Sequence, residues 1–258
     1  MNNKRQSYLA APYGLWIIVC TIIPLLFILG YAVTSDAGKF TFDNLLAIAE
    51  PVNLKCLMLS FKTSIITTVI CLLLSYPVAL ILNAAKIKNK SFVVFLFILP
   101  MWMNFMLRIL AWQIILSNNG LLNSILSALH IPTQHILYTE KAVILGMVYD
   151  FLPYMLLPIY NSLSRISGDV IEAAKDLGCN PIRVFSKVVI PLSVPGIASG
   201  ITMVFVPAVS TFIISRMLGG GTNMLIGDLI DLQFLGNAYN TGKIGHKADK
   251  IADTFSQD

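Results

Sequence analysis

Long apolar runs alternate with short polar ones along the whole chain, and no run keeps the period-2 alternation of a half-buried strand. A helix that crosses a bilayer needs about 20 mostly apolar residues. Five segments meet that length: Tyr13–Val33, Thr63–Asn83, Phe92–Leu116, Ala142–Leu163 and Gly196–Ser215. Arg108 interrupts the third and Asp150 the fourth. After Arg216 no run qualifies, because Met217–Gly227 is short and glycine-rich, Asp228 and Asp231 follow, and the sequence from Gly242 is polar. The pattern predicts an all-α, polytopic helical membrane protein with five spans, residues 1–240 forming the membrane domain and 241–258 a polar, disordered tail.

Composition sharpens this reading. Of 258 residues, 56% are hydrophobic and 12% charged, with a mean hydropathy of +0.76, against roughly 25% charged in soluble domains. The net charge of +5 is small and the charges are clustered between the apolar runs, with no basic patch interleaved with aromatics, so nucleic acid is not an expected partner. The lysines and arginines mark one side of a bilayer instead. Lys4 and Arg5 precede the first span, Lys86, Lys88 and Lys90 separate the second and third, and Arg165, Lys175, Arg183 and Lys187 lie between the fourth and fifth. The N-terminus is therefore expected on the cytoplasmic side, and an odd span count puts the C-terminus outside. The uncharged stretch from Gln6 to Ser35 is too long for the roughly 7–15-residue core of a cleavable signal and reads as an uncleaved span.

Enzyme chemistry finds little support. His130, His135 and His246 are isolated, and Cys20, Cys56 (expected in a loop), Cys71 and Cys179 show no metal-ligand spacing. A phosphate-cradling loop needs G-x-x-x-x-G-K-[ST]; Gly236 to Gly242-Lys243 has five intervening residues and Ile244 in place of the hydroxyl, and Gly219-Gly220-Gly221 lacks the lysine. A secondary transporter or channel fits the spans equally well on these grounds.

The segment between the fourth and fifth spans discriminates further. Asp169 and Glu172 suggest a capping-box start, Gly178 suits the left-handed position that closes a helix, and Asn180-Pro181 supplies a cap and first-turn proline for a second short helix. Pro191 ends that second helix or marks entry into span five. The local physics gives two short helices joined by a sharp elbow at the membrane surface, which a plain interfacial loop could also provide.

Within this segment Glu172-Ala173-Ala174, three residues, Gly178, nine residues, then Val188-Val189-Ile190-Pro191 resembles the EAA loop of the integral subunits of bacterial ABC importers. Leu99–Trp112, Asn119–Asn123, Ala142–Pro158 and Met224–Asp228 are similar to segments of the spermidine/putrescine permeases, the first of the two permease subunits in particular. The resemblance implies the type I importer membrane fold, a bacterial inner-membrane location, a second permease subunit, two cytoplasmic ATPase subunits that bind ATP and Mg, and a periplasmic or surface substrate-binding protein. No cofactor is implied in this chain. Glu172, Ala173, Ala174, Gly178 and Pro191 would couple to the ATPase. Trp102, Arg108, Trp112, Tyr149 and Asp150 are the candidates for the substrate path, with an Arg108–Asp150 ion pair as the competing role of the two charges. Another small solute (an inorganic anion, iron or thiamine) is the alternative cargo. The family has six spans where five are expected here, so an inactive, truncated product is a further expectation.

Overall fold

The computed structural model describes residues 12–34, 40–42, 46–85 and 90–235. Among these the backbone is helical and turns, apart from one isolated bridge between Thr34 and Phe40. The chain divides into two compact units, one of Lys55–Asp231 and one of the residues flanking it. The flanking unit carries the first apolar helix, α1 (Pro12–Gly30), which contains a π-helical turn at Ile18–Ile22.

After α1, α2 (Pro51–Ala84), α3 (Lys90–Ile98), α4 (Phe105–Leu116), α5 (Leu121–Ala128), α6 (Glu140–Ser164), α7 (Gly168–Asp176), α8 (Pro181–Ser210), α9 (Ile213–Gly219) and α10 (Ile226–Leu235) follow in order. Among the described residues, five apolar helical stretches are long enough to cross a bilayer: α1, α2, Phe105–Ala128, α6 and α8. The number agrees with the sequence reading, but several boundaries do not.

The expected third span is two helices. Pro100 lies in a 3₁₀ turn, Leu99–Trp102, and Asn104 restarts the chain by accepting hydrogen bonds from Met106 N (2.9 Å) and Leu107 N (3.3 Å). An apolar run cannot report this break, because Asn104 acts through its cap and not through polarity. The segment 117–140, expected as a loop, contains α5. Asn123, in the first turn of α5, ties that turn to the chain beyond the helix: its Oδ1 accepts from Gln134 N (2.9 Å) while its Nδ2 donates to Gln134 O (3.1 Å). The second span starts twelve residues earlier than expected, at Pro51 instead of Thr63, so Cys56 is buried in a helix and not in a loop.

The core is built around α6. Its buried face, including Val143, Met147, Met155, Leu156, Ile159 and Leu163, packs against α2, α4, α8 and α9. The α2 face toward it is small and polar: Ser60, Thr63, Ser64, Thr67, Cys71 and Ser75 are all buried. Such residues let backbones approach closely where lipid offers no hydrophobic drive for helix association. Asn83 Nδ2 and Ser75 Oγ donate to the α6 carbonyls of Leu163 (3.3 Å) and Leu152 (3.4 Å). Lys62 pairs with Glu140 at 2.8 Å, where α6 begins. α6 runs as one helix through Pro153 and Pro158.

Along another face of α6, α8 approaches through Gly196 and Gly200. A Cβ added at Gly196 would stand 2.5 Å from Ser162 Cβ and 2.6 Å from Pro158 O, and one at Gly200 would stand 2.7 Å from Met155 Sδ. Ser162 Oγ also donates to Leu192 O (3.3 Å) across the same seam.

Candidate functional site

Two places in the larger unit carry chemistry that packing alone does not require. The first is the elbow between α7 and α8. α7 starts at Gly168 with Ser167 as its N-cap, and Ser167 makes no capping hydrogen bond. The capping-box start expected of Asp169 and Glu172 is therefore absent: Asp169 sits inside the first turn, two positions too late to cap. The other end follows expectation. Gly178 takes φ +81°, its N–H donates to Lys175 O (2.8 Å), and Cys179 N–H donates to Ala174 O (3.1 Å). This is the Schellman arrangement, which satisfies two carbonyls at the helix end and needs the left-handed residue that glycine supplies.

Asn180 Oδ1 then accepts from Arg183 N (2.8 Å), and Pro181 opens the next helix. That helix is not a separate short element. It passes through a π-helical turn at Phe185–Val189 into the fifth apolar helix, and Pro191 lies in the first turn after the π segment. Proline inside a helix removes one backbone hydrogen bond to the preceding turn, and here that preceding turn is the π-helical one. The fifth span accordingly begins at Pro181 and ends at Ser210, where Thr211 turns extended. Glu172 and Ala173 are exposed, and Leu177 and Ile182 at the bend are 85% and 76% exposed. A rigid corner with an acid and two bare apolar side chains thus projects from one end of the helices that form the core.

The second place lies between α4 and α6. Arg108 Nη2 stands 2.7 Å from Asp150 Oδ1, with the two side chains 9% and 6% exposed. The guanidinium also lies 5.7 Å from the centre of the Phe105 ring. One turn further along α4, Trp112 meets Tyr149 edge-on at 5.3 Å between ring centres. Arg108, Trp112, Tyr149 and Asp150 are therefore neighbours. Trp102 is not among them: it is 78% exposed on the 3₁₀ turn and packs edge-on against Phe95 at 5.8 Å. His130 and His135 do not converge on either place, His135 Nδ1 being 2.7 Å from Asn118 Oδ1. Among the described residues no three His, Cys, Asp or Glu side chains are grouped to hold a metal.

Comparison with known proteins decides what this arrangement belongs to. Residues 3–243 match the family described as "Binding-protein-dependent transport system inner membrane component". The chain belongs to that family. It is 36% identical to the spermidine/putrescine transport system permease protein PotB of Salmonella typhimurium (strain SL1344), over 91% of this chain and 84% of that protein. The PotB protein of Haemophilus influenzae (strain ATCC 51907 / DSM 11121 / KW20 / Rd) is 35% identical over 91% and 85%. Among solved structures, a crystal structure of a bacterial alginate ABC transporter in complex with alginate pentasaccharide-bound periplasmic protein contains a chain that superposes with a TM-score of 0.75, covering 97% of this chain and 92% of that one at 16% identity. The fold is that of an ABC transporter permease. As a member of this inner-membrane component family the chain is a transport subunit and not itself an enzyme.

For such a permease the sequence reading missed one polar junction. Ser215 Oγ donates to Asp228 Oδ2, which also accepts from Leu225 N (3.0 Å), and Ser60 Oγ accepts from Ile226 N (2.8 Å). Asp228 sits at the third position of α10 and caps its start, while Ser60 ties that start to α2. Burial pushes the Asp228 carboxyl above the ordinary carboxylate range, and the Ser215 hydroxyl, the Leu225 N–H and the Arg216 charge pull it back down. Arg216 pairs with Asp231. The signal was present as Ser215 and Asp228 in otherwise apolar surroundings, but their thirteen-residue separation says nothing of contact until α9 folds back on α10. The lysines expected to set topology at 86 and 88, Lys4, Arg5 and the tail 241–258 lie outside the described residues.

Proposed function

We propose that this chain is a permease subunit through which a polyamine, spermidine or putrescine, crosses the cytoplasmic membrane. The observation that carries this reading is the 36% identity to a spermidine/putrescine permease over 91% of the chain. In this reading it pairs with a second permease subunit, receives cargo from a substrate-binding protein outside, and is driven by two cytoplasmic ATPase subunits that bind ATP and Mg. The ATPase grips the elbow: Glu172 supplies the polar contact, Ala173 and Ala174 allow close approach, Gly178 holds the bend, and Pro191, just past the π turn, belongs to the lever that carries the motion along the span. Trp102, Arg108, Trp112, Tyr149 and Asp150 are assigned to the substrate path, the carboxylate and aromatic faces being suited to an ammonium group.

The test is uptake of labelled spermidine and putrescine in cells lacking their own polyamine importer, with this chain and all partner subunits supplied. Saturable, ATP-dependent uptake is expected, with each polyamine competing against the other. If instead an inorganic anion, iron or thiamine is taken up and neither polyamine is, the cargo assignment is wrong.

Orientation follows from the same reading. In a variant stripped of Cys20, Cys56, Cys71 and Cys179, a cysteine at Asn119 should react with an impermeant thiol reagent in intact cells. One at Asp176, exposed on α7, should react only after the membrane is opened. Labelling of the Asp176 position in intact cells would invert the topology.

A further inference from the structure

We infer that Arg108 is a built-in counter-cation for Asp150, and that an ammonium group of the cargo passes by replacing the Arg108 guanidinium on that carboxylate. This rests on the cationic cargo proposed above and assigns a specificity-determining role to a residue whose charge has the wrong sign for binding a cation.

The position of the pair comes first. Asp150 is ten residues into α6 from Glu140, roughly 15 Å along the axis at about 1.5 Å per residue. That depth is near the middle of a hydrocarbon core about 30 Å thick. A carboxylate there without a cation beside it is costly, so some cation must accompany it at every stage.

The geometry is that of a provisional partner. A buried ion pair that only holds helices together is expected to meet fork to fork, with its remaining donors and acceptors satisfied. Here the shortest contact, Arg108 Nη2 to Asp150 Oδ1 at 2.7 Å, is off hydrogen-bond geometry. Arg108 Nε and Asp150 Oδ1 are both buried without a hydrogen-bond partner among the described residues. The Phe105 ring already lies beneath the guanidinium and gives it a place to remain once displaced. Trp112 and Tyr149, adjoining the pair on the same two helices, supply aromatic edges and faces beside the vacated carboxylate.

Exchange also explains why an arginine is useful in a path for cations. The carboxylate stays neutralised before, during and after passage, and the returning guanidinium expels the ammonium so that the site does not trap its cargo. A second ammonium on the same molecule meets a like charge at Arg108, which further favours departure.

The test uses the complete transporter in proteoliposomes, and wild-type spermidine uptake there reports separately on the cargo assignment. Asp150→Asn should raise the KM for spermidine about tenfold or more, the equivalent of losing one charge-assisted contact. Arg108→Gln should do the opposite, lowering KM and lowering kcat as the cargo leaves slowly. Arg108→Gln/Asp150→Asn should assemble normally and resemble Asp150→Asn, because Arg108 acts only through Asp150. In an otherwise cysteine-free chain, Arg108→Gln/Asp150→Cys should be protected from thiol reagent by spermidine supplied above its raised KM, because the cargo still passes that position. Four results overturn the exchange: wild-type kinetics in the neutral pair, failure of the neutral pair to assemble, a raised KM in Arg108→Gln, or no protection at position 150. If wild type takes up no spermidine at all, it is the cargo assignment that fails.

Discussion

Replacing Gly196 with leucine should abolish accumulation of folded permease, the largest effect expected of any single substitution in this chain. The Cβ alone would stand 2.5 Å from Ser162 Cβ and 2.6 Å from Pro158 O, and one of these is backbone that cannot rotate away. The rest of a leucine side chain would force α8 off α6 along the seam continued by Gly200 against Met155. Overpacking of this kind costs about 1–3 kcal/mol where neighbours can yield, and here the neighbour is a helix that packs on four others. Gly196→Ala should be milder and still harmful. The same change at Gly168, where a Cβ meets nothing within 4 Å, should leave accumulation unchanged. Detergent-solubilised yield and monodispersity of the three variants would check this. Normal yield of Gly196→Leu would mean that the seam is looser than its geometry.

Much of this was legible in the sequence because the bilayer imposes a length rule. Long apolar runs located α1, α6 and much of α2 and α8, and the Asn180-Pro181 and Gly178 signals placed the elbow to the residue. The failures share a cause. Asn104 splits the third apolar run by capping, and a hydropathy pattern cannot weigh one capping side chain against twenty-odd apolar neighbours. The π turn at Phe185–Val189 joins two expected elements into one, since nothing in Phe-Ser-Lys-Val-Val distinguishes a π turn from an α turn. The Gly196-x-x-x-Gly200 spacing is readable as a close-approach face, but it does not say which helix that face meets. The Arg108–Asp150 pair was legible as a possibility because two opposite charges in apolar runs must be accommodated somehow. Its placement beside Trp112–Tyr149 and away from Trp102 depends on the break at Leu99–Trp102, which the sequence reading did not foresee.

Replacing Gly178 with valine should stop transport while leaving the permease in the membrane. The residue holds φ +81°, and a Cβ there would meet nothing within 4 Å, so the cost is conformational alone. A β-branched residue in the left-handed region loses about 1–2 kcal/mol, enough to favour unwinding the last turn of α7 but far too little to unfold a core centred on α6. What the change removes is the stiffness of the corner. A lever that bends at its elbow would not carry ATPase closure into α8. Gly178→Asn is the informative control, because asparagine tolerates the left-handed conformation and should keep most of the uptake that valine loses. Glu172→Ala addresses the contact itself. Its side chain is exposed, and surface changes of this kind usually shift stability by no more than about 0.5 kcal/mol. Lost uptake in that variant, together with reduced co-purification of the ATPase subunits, would therefore report on the grip and not on folding. Labelled spermidine uptake, membrane abundance and ATPase co-purification measured on the three variants separate the two effects. Unimpaired uptake in Gly178→Val would mean that the elbow does not transmit the ATPase stroke.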